Sequence, residues 1–430
     1  MKPRTFASKT FLALCLILLS ACSLIRPMGK DSTGWLDWDG HGGWSESASG
    51  GELLAAEGSD LALLAPAGAP AEDEARSVGE DVTFQSGPLR AGSVDDNAQW
   101  DDYLLYRLQF RDWGIPVHDL DVAERHTISI VNQRGVPVLG ARVQVFDSSG
   151  ERLYQATTGA DGTVYFFPRE SANPQSATFE IHASKADAET STSISSEPRE
   201  HTLILEVRSS RDPIRLDIHF LIDSTGSMSD EIQQLKDNMI SVAERISSMQ
   251  ANPDVRYGMT IYRDRGDLFV SRTFDFTPDV SAFTDALRDV QAEGGGDYPE
   301  SLNEGLYQSI HLPEWRQEET VSLVFLIADA PPHLDYAQDY DYALDVFSAA
   351  EAGIKIFPLA SSGLDDQGEY IFRQLAQITG GKFLFLTYGA GGAPGDDTTH
   401  HVDDYSVLSL DDLVVRLVEE QLAYLSLPTQ

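Results

Sequence analysis

The chain has 430 residues, enough for two folded domains and a tail, and sets 68 acidic against 31 basic side chains for a formal charge of −37. That balance excludes nucleic acid and anionic lipid as electrostatic partners, because both repel an acidic surface. Acidity suits a binder of divalent cations and equally a soluble exported protein, so composition bounds the function without giving it.

Residues 1–22 hold Lys2, Arg4 and Lys9, then an apolar stretch over 11–19, then Ser20-Ala21-Cys22. The pattern reads as a signal peptide over 1–21, too short to span a bilayer. Leu19-Ser20-Ala21-Cys22 resembles a bacterial lipobox, which implies cleavage before Cys22 and lipidation of its sulfur, with the acyl chains holding the protein on a membrane. The expected location is the cell envelope, on the outer membrane or the outer face of the cytoplasmic membrane. Cys15 and Cys22 are the only cysteines, so neither can staple a folded domain.

Residues 22–92 are rich in Gly, Ser, Ala, Asp and Glu, a composition that buries no core and reads as a flexible acidic tether. As a coil of roughly 70 residues it would reach on the order of 45 Å. Residues 93–123 form an aromatic connector bearing Trp100, Tyr103, Tyr106, Phe110 and Trp113, expected to pack on the next domain in a form the pattern does not specify. From 124 to 208 the patterning has period two, with strands expected near 127–131, 141–146, 164–167, 178–181 and 203–207 between Gly, Asp, Asn and Pro. This predicts a small all-β sandwich. The wording GVPVLGARVQVFD and TTGADGTVYF resembles the carboxypeptidase regulatory-like and prealbumin-type sandwich modules of bacterial surface proteins.

From 215 to 426 apolar strands alternate with amphipathic helices, which predicts an α/β fold with a doubly wound, mostly parallel sheet covered on both faces. The run 216–222 ends at Asp223, and the next segment spaces Ile232, Leu235, Met239, Val242, Ile246 and Met249 by threes and fours, one apolar helical face. Val255, Tyr257, Met259 and Ile261 alternate as a strand, 268–274 reads as an edge strand, and Pro278 opens a helix. Further strands are expected at 323–327, 354–359 and 382–386, and Ser409 caps a last helix.

In doubly wound sheets ligands bind beyond the carboxyl ends of the strands, where neighbouring connections part. Asp223-Ser224-Thr225-Gly226-Ser227 sets a carboxylate and two hydroxyls at one such end, and Asp329 closes another. Between them in sequence lies Gly294-Gly295-Gly296-Asp297-Tyr298-Pro299-Glu300-Ser301. Carboxylate and hydroxyl ligands without His or Cys favour a hard cation over Zn²⁺ or Cu²⁺.

This order of elements resembles the von Willebrand factor A domain, whose D-x-[S/T]-x-S loop, second loop and post-strand Asp form a metal-ion-dependent adhesion site. The resemblance assigns Asp223, Thr225 and Ser227 to the first element and Asp329 to the last. The middle element departs from the usual Gly-Gly-Thr: GGGDYPES looks like the subgroup that also bears a Tyr-Arg-Asp tripeptide, here Tyr262-Arg263-Asp264. Asp297 is the ligand expected there, with Gly296 at the aligned position and Glu300 as the neighbouring acid. The resemblance implies Mg²⁺, with Ca²⁺ or Mn²⁺ as alternatives, and a protein ligand whose acidic residue completes the coordination.

Arg265-Gly266-Asp267 is read as a loop, and His400-His401 as solvated loop residues, while His333 stands near the site rim. The sequence carries no G-x-S-x-G elbow, no HExxH and no phosphate loop, so the expectation is a binding protein and not an enzyme. Two rival roles remain open at this level: a metal-dependent assembly factor or co-chaperone of an envelope complex, and a scaffold with an empty site.

Overall fold

The computed structural model describes residues 89–171, 178–207, 213–249, 252–387 and 400–425. The expected signal peptide, Cys22 and the tether up to residue 88 lie outside the described residues. No helix among the described residues is long and apolar enough to cross a membrane.

In chain order, β1 (Arg90–Val94) and α1 (Trp100–Trp113) come first. A β-rich region follows: β2 (His126–Val131), β3 (Arg142–Phe146), β4 (Arg152–Thr157), β5 (Thr163–Phe166), the single turn α2 (Pro168–Ser171), β6 (Thr178–Lys185), β7 (Ala188–Ser195) and β8 (Glu200–Ile204). Then come β9 (Arg215–Asp223), α3 (Ser229–Ser247), β10 (Asp254–Tyr262), β11 (Ser271–Thr277), α4 (Val280–Arg288), α5 (Leu302–His311), β12 (Thr320–Ala328) and α6 (Tyr342–Ala352). The chain closes with β13 (Ile354–Ala360), α7 (Asp366–Thr379), β14 (Phe383–Thr387), β15 (Ser406–Ser409) and α8 (Leu410–Leu425).

The central sheet runs β11-β10-β9-β12-β13-β14-β1-β15. Strands β10, β9, β12, β13 and β14 are parallel, and β11 and β1 pair antiparallel to their neighbours, as the apolar runs lead one to expect. Both faces are covered. Leu216, Ile218, Phe220 and Ile222 of β9 pack with α3, α4 and α8, while Leu221 of β9 and Leu326 of β12 share the opposite core with α1, α5, α6 and α7. Helix α3 follows β9 on one face and α6 follows β12 on the other, so the crevice between these adjacent strands is the switch point of the sheet.

Two boundaries expected from sequence are corrected. Residues 90–92, assigned to the tether, are the start of a sheet strand that pairs with β14 and β15. A Cβ on Gly92 would lie 2.3 Å from the Phe385 ring, so only glycine lets this strand enter between its partners. The aromatic connector becomes the end of β1 and α1, whose Phe110 stacks on Tyr370 of α7 at 4.0 Å. The α/β head is therefore built from both sides of the β-rich region, which enters the chain as an insertion.

In that region β5-β2-β8 and β4-β3-β6-β7 form two sheets around one apolar core of Ile128, Ile130, Val143, Val145, Phe166 and Phe179 among others. Four of the expected strands are present, the one expected at 203–207 lies three residues earlier as β8, and β4 and β7 are additional. The region sits against the head through Lys355 Nζ on Asp161 (2.7 Å) and the Thr157 hydroxyl donating to the Glu351 carbonyl (2.7 Å).

Candidate metal centre

Asp223 is the last residue of β9 and has no exposed surface, because the flanking strands β10 and β12 and the loops beyond them close over it. Its Oδ1 accepts from the Thr225 amide (2.9 Å) and the Thr225 hydroxyl (2.7 Å), and Thr225 Oγ1 stands 3.1 Å from Ser227 Oγ. The three side chains form a file from the interior to solvent: Asp223 and Thr225 are buried and Ser227 is exposed. The other carboxylate oxygen, Asp223 Oδ2, is buried with no hydrogen-bond partner of normal geometry.

Asp329 follows β12 one residue beyond the strand end and is 6% exposed. Burial first, and the charge of Asp329 second, push the Asp223 carboxyl up to about 7. The two strand-end carboxylates thus lie near enough for the charge of one to oppose ionisation of the other.

The middle loop departs from expectation. Asp297, assigned as the third ligand, is 65% exposed and faces His333 Nε2 at 3.8 Å. Glu300 is the acid that turns toward Asp223: it is 3% exposed, and its Oε2 has no hydrogen-bond partner. Burial, followed by the charges of Asp223, Asp264, Asp267 and Asp329, raises the Glu300 carboxyl to about 9.

Backbone hydrogen bonds hold this loop to its neighbours on every side. Gly226 N donates to Gly294 O (2.9 Å) and Glu293 N to Ser224 O (3.0 Å), which fixes it to the Asp223 loop. Glu300 N donates to Pro331 O (3.0 Å) and His333 N to Glu300 O (3.1 Å), which fixes it to the Asp329 loop. The Tyr298 hydroxyl donates to Gly363 O (3.0 Å). Gly295 has φ +72°, and a Cβ there would lie 2.6 Å from Glu300 Oε1, so glycine is required for the loop to approach the carboxylates.

The Tyr-Arg-Asp segment is part of the same construction. Tyr262 ends β10 beside Asp223, and its carbonyl accepts from Ser224 N and Ser224 Oγ (both 2.9 Å). Ser301 Oγ donates to Asp264 Oδ1 and the Tyr336 hydroxyl to Asp264 Oδ2 (both 2.8 Å). The Arg265-Gly266-Asp267 turn is engaged internally, with Asp267 Oδ2 accepting from Gly295 N (2.9 Å) and Arg265 pairing with Asp339 (2.9 Å).

Asp223, Thr225, Ser227, Asp329 and Glu300 offer oxygen ligands alone, and the charges that most perturb Asp223 and Glu300 belong to other carboxylates. Orphaned buried oxygens beside hydroxyls fit a hard divalent cation. Sequence reasoning preferred Asp297 and left Glu300 open as the alternative; the buried one of the two is Glu300. The histidine pair is also corrected: His400 Nδ1 and His401 Nδ1 each stand 3.2 Å from the buried carboxylate of Glu369, where solvated loop residues were expected.

Residues 217–388 match the family model described as von Willebrand factor A domain. Among curated proteins the chain is similar to an alpha-protein kinase, vwkA, of Dictyostelium discoideum, 28% identical over 179 residues that cover 41% of this chain. The match spans 28% of that relative's length. Among solved structures it is similar to proximal thread matrix protein 1 of the mussel byssus, at 13% identity and a TM-score of 0.33, covering 50% of this chain and 47% of that one. A second structure of that mussel protein, with a zinc-occupied MIDAS motif, matches at 15% identity and a TM-score of 0.34, covering 49% and 46%.

Proposed function

We propose that the α/β head is a binding module that captures a protein partner through a divalent cation, Mg²⁺ first and Ca²⁺ or Mn²⁺ as alternatives. Asp223, Thr225, Ser227 and Asp329 would hold it, with Glu300 as the acid of the middle loop. The observation that carries this reading is the cluster of buried carboxylates at the switch point: Asp223 Oδ2 and Glu300 Oε2 have no hydrogen-bond partner of normal geometry, the charge of Asp329 opposes ionisation of Asp223, and the charges of Asp223 and Asp329 oppose ionisation of Glu300.

Two carboxylates about 4 Å apart at an effective dielectric near 20 repel by about 4 kcal/mol. When bound, a doubly charged ion would offset that repulsion and offer a coordination position to an acidic side chain from outside. Thr225 orients Asp223 by donating its amide and hydroxyl to one oxygen, which leaves the other directed at the site. Ser227 sets the solvent-facing side of the cluster, where a partner would enter. The assigned role is binding without catalysis.

The same reading takes the protein as exported and held in the cell envelope by a lipid on Cys22, with the β-rich region as a spacer. Affinity capture from envelope extracts, using the full-length chain with and without chelator, tests it. A partner retained by the wild type, released by chelator and not retained by Asp223→Ala is the expected result. A partner held equally by Asp223→Ala, or indifferent to chelator, contradicts the reading.

A further inference from the structure

Adjoining the oxygen cluster stands a group of different chemistry. His333 Nε2 lies 3.7 Å from Asp264 Oδ1 and 3.8 Å from Asp297 Oδ2, and the donor atoms of the three residues all fall within 4.8 Å of one another. The set does not include Asp223, Asp329 or Glu300.

The orientation of the His333 ring is set by its surroundings. Its side chain is 3% exposed, and Nδ1 sits 2.8 Å from Asp335 Oδ1, a carboxylate that can only accept when ionised, so Nδ1 carries the proton. Nε2 is then the free end of the ring; it is buried, has no hydrogen-bond partner and faces two carboxylates. It stands nearly equidistant from both. Two ligands bonded at about 2.0–2.2 Å to one tetrahedral ion are separated by about 3.3–3.6 Å; both His333 distances come within a few tenths of an ångström of that spacing, and the two carboxylates, at most 4.8 Å apart, would close through movement of the exposed Asp297.

The rest of the group is held in place. Asp264 is 3% exposed and is fixed by Ser301 Oγ and the Tyr336 hydroxyl, and Tyr336 stacks on the His333 ring at 3.8 Å. Asp297, at 65% exposed, leaves one side open to solvent. A ring nitrogen oriented through Nδ1 by an outer carboxylate, with two carboxylate oxygens and room for water, is a donor set for a borderline divalent ion such as Zn²⁺.

We propose that His333, Asp264 and Asp297 form a second metal site, selective for Zn²⁺ over Mg²⁺, with Asp335 as the positioning residue for the imidazole. It is separate from the oxygen cluster of the proposed function and stands or falls independently of it.

The test is Zn²⁺ affinity of the full-length, tag-free chain by competition with a chromophoric chelator, together with the visible absorption of bound Co²⁺. Asp297→Asn and Asp335→Asn change exposed side chains, so they keep the test valid even where His333→Ala fails to fold. Asp335→Asn is expected to weaken Zn²⁺ by roughly 10- to 100-fold and to alter the Co²⁺ spectrum, and Asp297→Asn and His333→Ala to weaken it more. Asp223→Asn is expected to leave Zn²⁺ affinity unchanged. Zn²⁺ affinity that is unmoved in both Asp297→Asn and Asp335→Asn, or that falls in Asp223→Asn instead, overturns the proposal. A loss of Mg²⁺ uptake in Asp223→Asn reports on the oxygen cluster alone and leaves this result readable.

Discussion

Buried carboxylates occur in two parts of the head, and their surroundings differ. At the α1–α7 contact, Asp96 takes a bidentate pair from Arg373 (2.6 and 3.0 Å), and Glu369 receives Arg373, His400 and His401. Burial works against the Glu369 charge, but hydrogen bonds from His400 and His401 and the charge of Arg373 outweigh it and hold the carboxyl well below the usual range. At the switch point Asp223 and Glu300 are equally inaccessible, and the charged groups that perturb them most are other acids. The first cluster neutralises itself and fastens helices together. The second sets acids against acids, and the proposed cation site rests on that difference.

Substitution separates the two most sharply. Arg373→Leu would strand Asp96 and Glu369 without their cation and is expected to cost about 3–5 kcal/mol of stability, read from the denaturant midpoint. Asp223→Asn removes a charge that burial and Asp329 already oppose, so the metal-free chain is expected to be at least as stable as the wild type. A destabilisation of Asp223→Asn comparable to that of Arg373→Leu would erase the distinction.

The pH dependence of stability has opposite sign at the switch point and at Glu369, whereas Asp96, raised by burial, shares the sign of the switch point. Asp223 rises from 3.8 to about 7 and Glu300 from 4.5 to about 9, so the folded state binds their protons more tightly than the unfolded state does. Their contribution is full below about pH 4 and is lost as pH climbs through 7 and 9. In chelator, the melting temperature is therefore expected to fall across that interval, and saturating Mg²⁺ is expected to flatten the fall. The Glu369 contribution is present above its unfolded value of 4.5 and disappears on acidification below it. A melting temperature in chelator that rises between pH 5 and 9 would contradict the arrangement at the switch point.

Smaller changes sharpen the same contrast. Gly295→Ala forces a side chain into a left-handed backbone 2.6 Å from Glu300 Oε1, and is expected to cost about 1–2 kcal/mol and to weaken cation uptake. Ser227→Ala alters an exposed hydroxyl, so stability should stay within about 0.5 kcal/mol while cation affinity drops. Equal affinity in Ser227→Ala would remove that hydroxyl from the site.

Much of this was legible in sequence for a physical reason. Asp223 and Asp329 end continuous apolar runs that form only as central strands, and the connections after them fix the crevice. What was hidden depends on tertiary placement. Residues 90–94 read RAGSV, too short and too weakly apolar to announce a strand, and they pair only because Gly92 fits beneath Phe385. Helix α1 carries Leu105 and Leu108 on its exposed side, which blurs the apolar stripe made by Tyr103, Tyr106 and Phe110. Asp297 and Glu300 lie three residues apart on one loop, and which of them turns inward is set by the Glu300 backbone bonds to Pro331 and His333. His400 and His401 are distant in sequence from Glu369, so no local pattern shows that it binds them.

The central claim is that the switch-point carboxylates await a doubly charged ion, and calorimetric titration of the full-length, tag-free chain with Mg²⁺ tests it most directly. One ion taken up by the wild type and none by Asp223→Asn, with the α1–α7 cluster intact in both, is the expected result. Wild-type protein that takes up no Mg²⁺, Ca²⁺ or Mn²⁺, or an Asp223→Asn variant that binds as the wild type does, would contradict it.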